Sequence, residues 1–62
     1  MPLVKIDMWA GKDKETKKKL IQSVSKAVSV SLDIPIEWVH VVINESPKDN
    51  WGINGKQASE LY

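Results

Sequence analysis

The feature that most constrains this chain is a double change in the period of its apolar residues. In PLVKIDMW, Val4, Ile6 and Met8 recur at every second position, with Lys5 and Asp7 between them. From Lys14 the spacing lengthens, so that Leu20, Ile21, Val24, Ala27, Val28 and Leu32 fall at i, i+1, i+4, i+7, i+8 and i+12. Alternation returns in WVHVVINE, where Val39, Val41 and Ile43 interleave with Trp38, His40, Val42 and Asn44. A period of two puts side chains on one face of a strand, and the longer period puts them along one stripe of a helix. The chain of 62 residues therefore predicts a strand, a helix and a strand. Two strands joined by a helix of about 20 residues pair in parallel through a right-handed crossover.

The punctuation agrees with the periods. Gly11 closes the first strand. Asp13 is placed to cap the helix, and Glu15 lies in the first turn, where negative charge meets the positive end of the dipole. In SLDIPIE, Pro35 cannot continue a helix and drives Ile34 out of the helical region, so the helix is expected to end there. SPKDN reads as a loop, and Asn54-Gly55 in WGINGKQ is a strong hairpin-turn dipeptide. The expected fold is α+β in one domain over residues 1–62: a parallel β-α-β unit followed by a short C-terminal β-hairpin.

Such a fold is short of cover. Its helix shields one face of a two-stranded sheet, and a sheet of that size is not stable alone or safe at its edges. A chain this short buries only roughly 60% of its unfolded surface. Small folds make up the deficit with disulfides, metals or oligomerisation. There is no cysteine, which removes disulfides and thiolate metal sites, and the lone histidine, His40, cannot build a metal site without carboxylate help. A symmetric homo-oligomer is therefore expected. A hydrophobic fraction of 42% suits a folded chain. Nine lysines and no arginine stand against eight acids, for a net charge of +1, too balanced for a nucleic-acid partner bound through its phosphates. The run KDKETKKK reads as a solvated helix face. No apolar run approaches the about 20 residues of a membrane span, and no signal-peptide core is present, so a cytoplasmic protein without a membrane partner is expected.

Several residues carry possible chemistry. Pro2 follows Met1 directly. Proline gives a sheet no N–H and is tolerated at the first residue of a strand, which is its purely structural reading. His40 reads either as a hydrogen-bonded structural histidine or as an anion contact in a cleft. Trp9, Trp38 and Trp51 read as packing at a core or interface, or as walls of an apolar pocket between subunits.

Pro2 after Met1, the β-α-β order, a helix ending in SLDIP, the strand VHVVINE and the hairpin WGINGK together resemble the 4-oxalocrotonate tautomerase family, part of the tautomerase superfamily. The resemblance covers the whole chain. It implies that Pro2, freed by removal of Met1, is the catalytic residue. An α-amino group titrates near about 7.7–8.0. An apolar pocket and a nearby cation lower that further and leave a general acid/base poised near neutral pH. The resemblance also implies an isomerase without cofactor or metal, acting on a small enol or keto acid such as 2-hydroxymuconate. It implies a hexamer, a trimer of dimers, with pockets at subunit contacts. Where better-known members carry substrate-holding arginines, this chain has Lys12 and His40. Trp51 stands in place of a pocket phenylalanine, and Trp9 and Trp38 stand where smaller residues are usual. The expected substrate-binding set is therefore Lys12, His40, Trp51, Trp9 and Trp38. Lysine brings charge without the planar fork of a guanidinium. The missing arginines keep open a non-catalytic oligomeric binding module on the same fold. Another proline-dependent activity, dehalogenation or decarboxylation, is the other alternative, although no carboxylate is obviously placed to activate water for it.

Overall fold

In the computed structural model, which describes residues 1–62, the two periods resolve into a strand β1 (Leu3–Trp9), a helix α1 (Lys14–Leu32) and a strand β2 (His40–Ser46). Two short strands, β3 (Gly52–Ile53) and β4 (Lys56–Gln57), follow, and then one helical turn, α2 (Ala58–Leu61). β1 and β2 pair in parallel, from Leu3 opposite His40 to Trp9 opposite Ser46. β3 and β4 pair antiparallel around Asn54-Gly55, whose φ angles of 54° and 76° are the two positive values that a type I′ turn requires.

Alternation sorts the sheet into two faces. Val4, Ile6 and Met8 of β1 and Val41 and Ile43 of β2 are half-buried, and the register sets Val4 beside Val41 and Ile6 beside Ile43. Their outward neighbours Leu3, Lys5 and Asp7 on β1, and His40, Val42 and Asn44 on β2, are exposed. The inward stripe of α1 is narrower than its apolar pattern suggested. Leu20, Val24 and Val28 are half-buried, but Ile21, Ala27 and Leu32 are exposed, and Ser25 and Ser29 take inward positions instead. Ser29 is used at the helix end, where its hydroxyl donates to the Ile34 carbonyl at 2.6 Å.

Both ends of α1 are capped. The Asp13 carboxylate accepts from the Thr16 N–H at 2.8 Å, satisfying one of the amides that a helix start leaves free. The other end falls within SLDIPIE, as expected, and the residue that stops it is Asp33. The helix stops at Leu32 because Asp33 turns left-handed, with φ 53°, and donates its N–H to the Ser29 and Val30 carbonyls. Ile34 adds a bond to the Ser29 carbonyl at 3.1 Å. Aspartate is among the few non-glycine residues that tolerate this region, so the chain reverses before Pro35 is reached. Pro35 instead opens a 3-10 turn at Ile36–Trp38.

That turn corrects the start of the second strand. Trp38 and Val39 lie outside it, and pairing begins at His40. SPKDN holds a 3-10 turn at Lys48–Asn50 rather than an irregular loop, and α2 was not foreseen, being too short to show a period. Within one chain the outer face of β2 has no cover, and Val42 stays 43% exposed.

The chain leaves much surface open. Ala58 is the one fully buried residue. The accessible surface is 4846 Å², against about 4,000 Å² for a folded monomer of this mass. The radius of gyration is 14.5 Å, where a compact chain of this length has about 11 Å. The open outer face of the sheet, with Leu3 55% and Val42 43% exposed, is the surface a second copy would cover. Sedimentation at micromolar concentration is expected to give a homo-oligomer, and Val42→Lys, which charges that face, is expected to yield a smaller or less stable species. A stable, well-folded monomer of the unmodified chain would contradict this.

The helix cap gives a pH-dependent expectation. The Thr16 hydrogen bonds hold the Asp13 carboxyl below its ordinary range. A carboxyl lowered in the native state stabilises the fold above its unfolded-state pKa, and that contribution is lost as pH falls through the lower native value. Asp13→Ala should therefore reduce stability at neutral pH, with the gap to the unmodified protein closing in acid. Denaturant melts at neutral and strongly acidic pH measure the gap, and a gap independent of pH would refute the charged cap.

Candidate active site

β1 carries functional side chains to both ends of the sheet. Six steps of about 3.3 Å from Leu3 to Trp9 make the strand about 20 Å long. The six residues singled out in the sequence fall into two groups at its opposite ends.

Pro2, Trp38 and His40 lie at the first end. Pro2 precedes the ladder and lends it only its carbonyl, which accepts from the His40 N–H at 3.0 Å. This is how a residue with no N–H opens a strand without leaving a partner unsatisfied. Pro2 is half-buried, whereas Met1 is 88% exposed. His40 faces outward on β2, and Trp38, 51% exposed, stands two residues earlier in the 3-10 turn. None of the three lines a cavity of the single chain.

Trp9, Lys12 and Trp51 come together at the other end. The ladder runs on past Trp9, with the Ala10 N–H donating to the Ser46 carbonyl at 2.9 Å. Gly11 then takes a φ of 129°, which side chains rarely allow, and turns the chain toward Lys12. After β2, the turn at Lys48–Asn50 brings Trp51 back over the end of β1. The Trp9 and Trp51 rings meet edge to face, with centroids 6.1 Å apart and planes at 84°. Tyr62 packs on Trp9 at 5.3 Å. A cavity of about 340 Å³ opens here, lined by Asp7, Met8, Trp9, Lys12 and Trp51. Its walls are mostly apolar, and it carries one cation and one carboxylate.

Asp7, Lys48 and Tyr62 were missed in the sequence. Asp7 lines the cavity; two positions before Trp9, it shares that residue's strand face, a signal the alternation already contained. Lys48 lies 5.0 Å from the centroid of the Trp9 ring, which its distance along the chain conceals. Lys14, Lys18 and Lys19 of the lysine run are exposed, as expected of a solvated face, whereas Lys12 lines the cavity and Lys17 reaches across to Glu45 at 2.7 Å and ties α1 to β2. No group of three or more His, Asp or Glu side chains comes together that could hold a metal.

Comparison with known proteins decides the family. The sequence model of the tautomerase enzyme family matches residues 2–60. The chain belongs to the tautomerase family. It is 48% identical over 61 residues to a 2-hydroxymuconate tautomerase from Pseudomonas fluorescens, a match covering 98% of this chain and 97% of the relative. A 2-hydroxymuconate tautomerase from Comamonas testosteroni is 41% identical over the same share of each chain. Among solved structures, apo unFused 4-OT superposes with a TM-score of 0.94 at 33% identity, covering 98% of this chain and all of that one. A heterohexamer 4-oxalocrotonate tautomerase from Chloroflexus aurantiacus J-10-fl gives 0.94 at 32% identity, with both chains fully covered. This tautomerase is thus an isomerase of the 4-oxalocrotonate tautomerase type.

The aromatic contact at the pocket should be measurable in this tautomerase. Edge-to-face pairs contribute about 0.5–1.5 kcal/mol beyond their buried area. A double-mutant cycle on Trp9→Leu and Trp51→Leu, read by denaturant unfolding, is expected to give a coupling energy of about 1 kcal/mol. Strict additivity of the two substitutions would separate the rings.

Proposed function

We propose that this tautomerase, once Met1 is removed, uses the Pro2 nitrogen as general base and acid to interconvert the enol and keto forms of a small unsaturated 2-hydroxy or 2-keto acid, with 2-hydroxymuconate the leading candidate. The observation that carries the reading is the contrast at the chain start. Pro2 is anchored to the end of the sheet through its carbonyl at 3.0 Å, while Met1 projects into solvent. Loss of Met1 would leave a secondary amine on a ring whose orientation the ladder already fixes. Such an amine titrates close enough to neutral pH to take a proton from an enol hydroxyl and return one to carbon. The substrate follows from relatives named 2-hydroxymuconate tautomerase that match the chain over nearly its full length.

The working site in this reading joins two chains. Pro2 and His40 of one protomer meet the Trp9–Lys12–Trp51 cavity of another, because strand length keeps the two groups about 20 Å apart within one chain. The excess surface and the open sheet face support such an assembly, as does the heterohexameric relative. A homohexamer arranged as a trimer of dimers is the state we infer. Lys12 and His40 would hold the substrate carboxylates in place of arginines, and Trp9 and Trp51 would exclude water around the reacting carbons. Trp38 would form the wall beside His40.

The test compares three samples on 2-hydroxymuconate: protein beginning at Pro2, protein retaining Met1, and processed Pro2→Ala. The first is expected to be active. The second is expected to be inactive, since an amide nitrogen has no available lone pair. The third is expected to fall by about 10²–10⁴-fold, because a freely oriented primary amine replaces the fixed ring. Equal rates with and without Met1 would overturn the reading.

A further inference from the structure

We propose that Lys48 is a second anion-holding residue of this tautomerase, gripping one substrate carboxylate jointly with Lys12. This rests on the reading of the Trp9–Lys12–Trp51 cavity as half of the substrate site. Lys48 begins the 3-10 turn that follows β2 and is half-buried. Its ammonium stands 5.0 Å from the Trp9 ring centroid. A cation over an indole face is held by the ring quadrupole, so this long side chain is ordered before any ligand arrives. Its one hydrogen bond is a long contact of 3.4 Å to the main-chain oxygen of Tyr62. Neither Lys48 nor Lys12 is paired with a side-chain carboxylate, in contrast to Lys17, which Glu45 neutralises.

A second cavity, of about 270 Å³, joins the two cations. It is lined by Trp9, Ala10, Gly11, Lys12 and Lys48, and it shares Trp9 and Lys12 with the neighbouring cavity of about 340 Å³. Two ammonium groups facing one cleft repel each other, and an anion between them relieves that repulsion. The indole N–H of Trp9, the side chain that borders both cavities, is buried and has no acceptor within the chain. One ammonium binds as a point charge and cannot grip both carboxylate oxygens as a guanidinium fork does. Two ammoniums reaching the cleft from different segments supply the two points of attachment. The substrate class follows: a flat, conjugated acid that lays its chain along Trp9 and Trp51 and ends in a carboxylate between Lys12 and Lys48. Asp7, on the wall of the larger cavity, repels an anion placed there and so favours the lysine end. A conjugated dicarboxylate also leaves its second carboxylate for the Pro2–His40 end of another protomer.

The experiment is calorimetric titration of the assembled protein with trans,trans-muconate, a dienedioate with no enol to react, and with its uncharged dimethyl ester. Lys48→Gln is expected to weaken muconate about tenfold while changing the ester by no more than about twofold, and Lys48→Arg is expected to retain muconate affinity. Muconate affinity untouched by Lys48→Gln, an equal loss for the ester, or no muconate binding by the unmodified protein would each overturn the proposal. Activity on 2-hydroxymuconate separates it from the functional reading. An inactive processed protein with Lys48-dependent muconate binding removes the reading and keeps the clamp; an active one with Lys48-independent binding removes the clamp alone.

Discussion

The parallel pairing of β1 with β2 is the constraint on which everything else depends. It fixes the register, from Leu3 beside His40 to Trp9 beside Ser46, and so decides which side chains share a face. It sets Val4, Ile6, Val41 and Ile43 under the helix, and Leu3, Lys5 and Val42 on the open side. A slip of one residue would exchange the two sets. The same ladder anchors Pro2 at one end, through its carbonyl, and delivers Trp9 to the other.

One helix on two strands cannot finish a core. Only Ala58 is fully buried, and the inner residues of sheet and helix are at best half-covered. Hydrophobic burial scales with area removed from water, so a chain that leaves this much apolar surface open keeps a large favourable term for association. The division of the candidate site has the same origin. A strand of this length separates its two ends by about 20 Å, so the two groups of candidate residues do not meet within one chain.

The pocket at the Trp9 end is built with modest means. Edge-to-face packing of Trp9 on Trp51 and the tilted contact of Tyr62 with Trp9 make an aromatic wall from three separate segments of the chain. The chain has no arginine, so two-point recognition of a carboxylate at this end would need more than one side chain. The lack of arginine thus leads to a cleft with two separate cations rather than one bidentate group.

The sequence by itself determined the elements and the family. Alternation marked β1 and most of β2, the longer period marked α1, and Asp13 and Asn54-Gly55 marked a cap and a turn. All of these are local effects that depend on residues within a few positions of one another. Other local devices went unread in the sequence. Asp33 ended the helix before Pro35 could, and Trp38 was drawn into a turn that propensity did not reveal. Only the tertiary structure decided which residues meet: Lys48 on Trp9, Tyr62 beside it, and Pro2 far from all of them. The reason is that these relations are set by strand register and by the turn at Lys48–Asn50, which bring together residues tens of positions apart, beyond the reach of any period in the sequence.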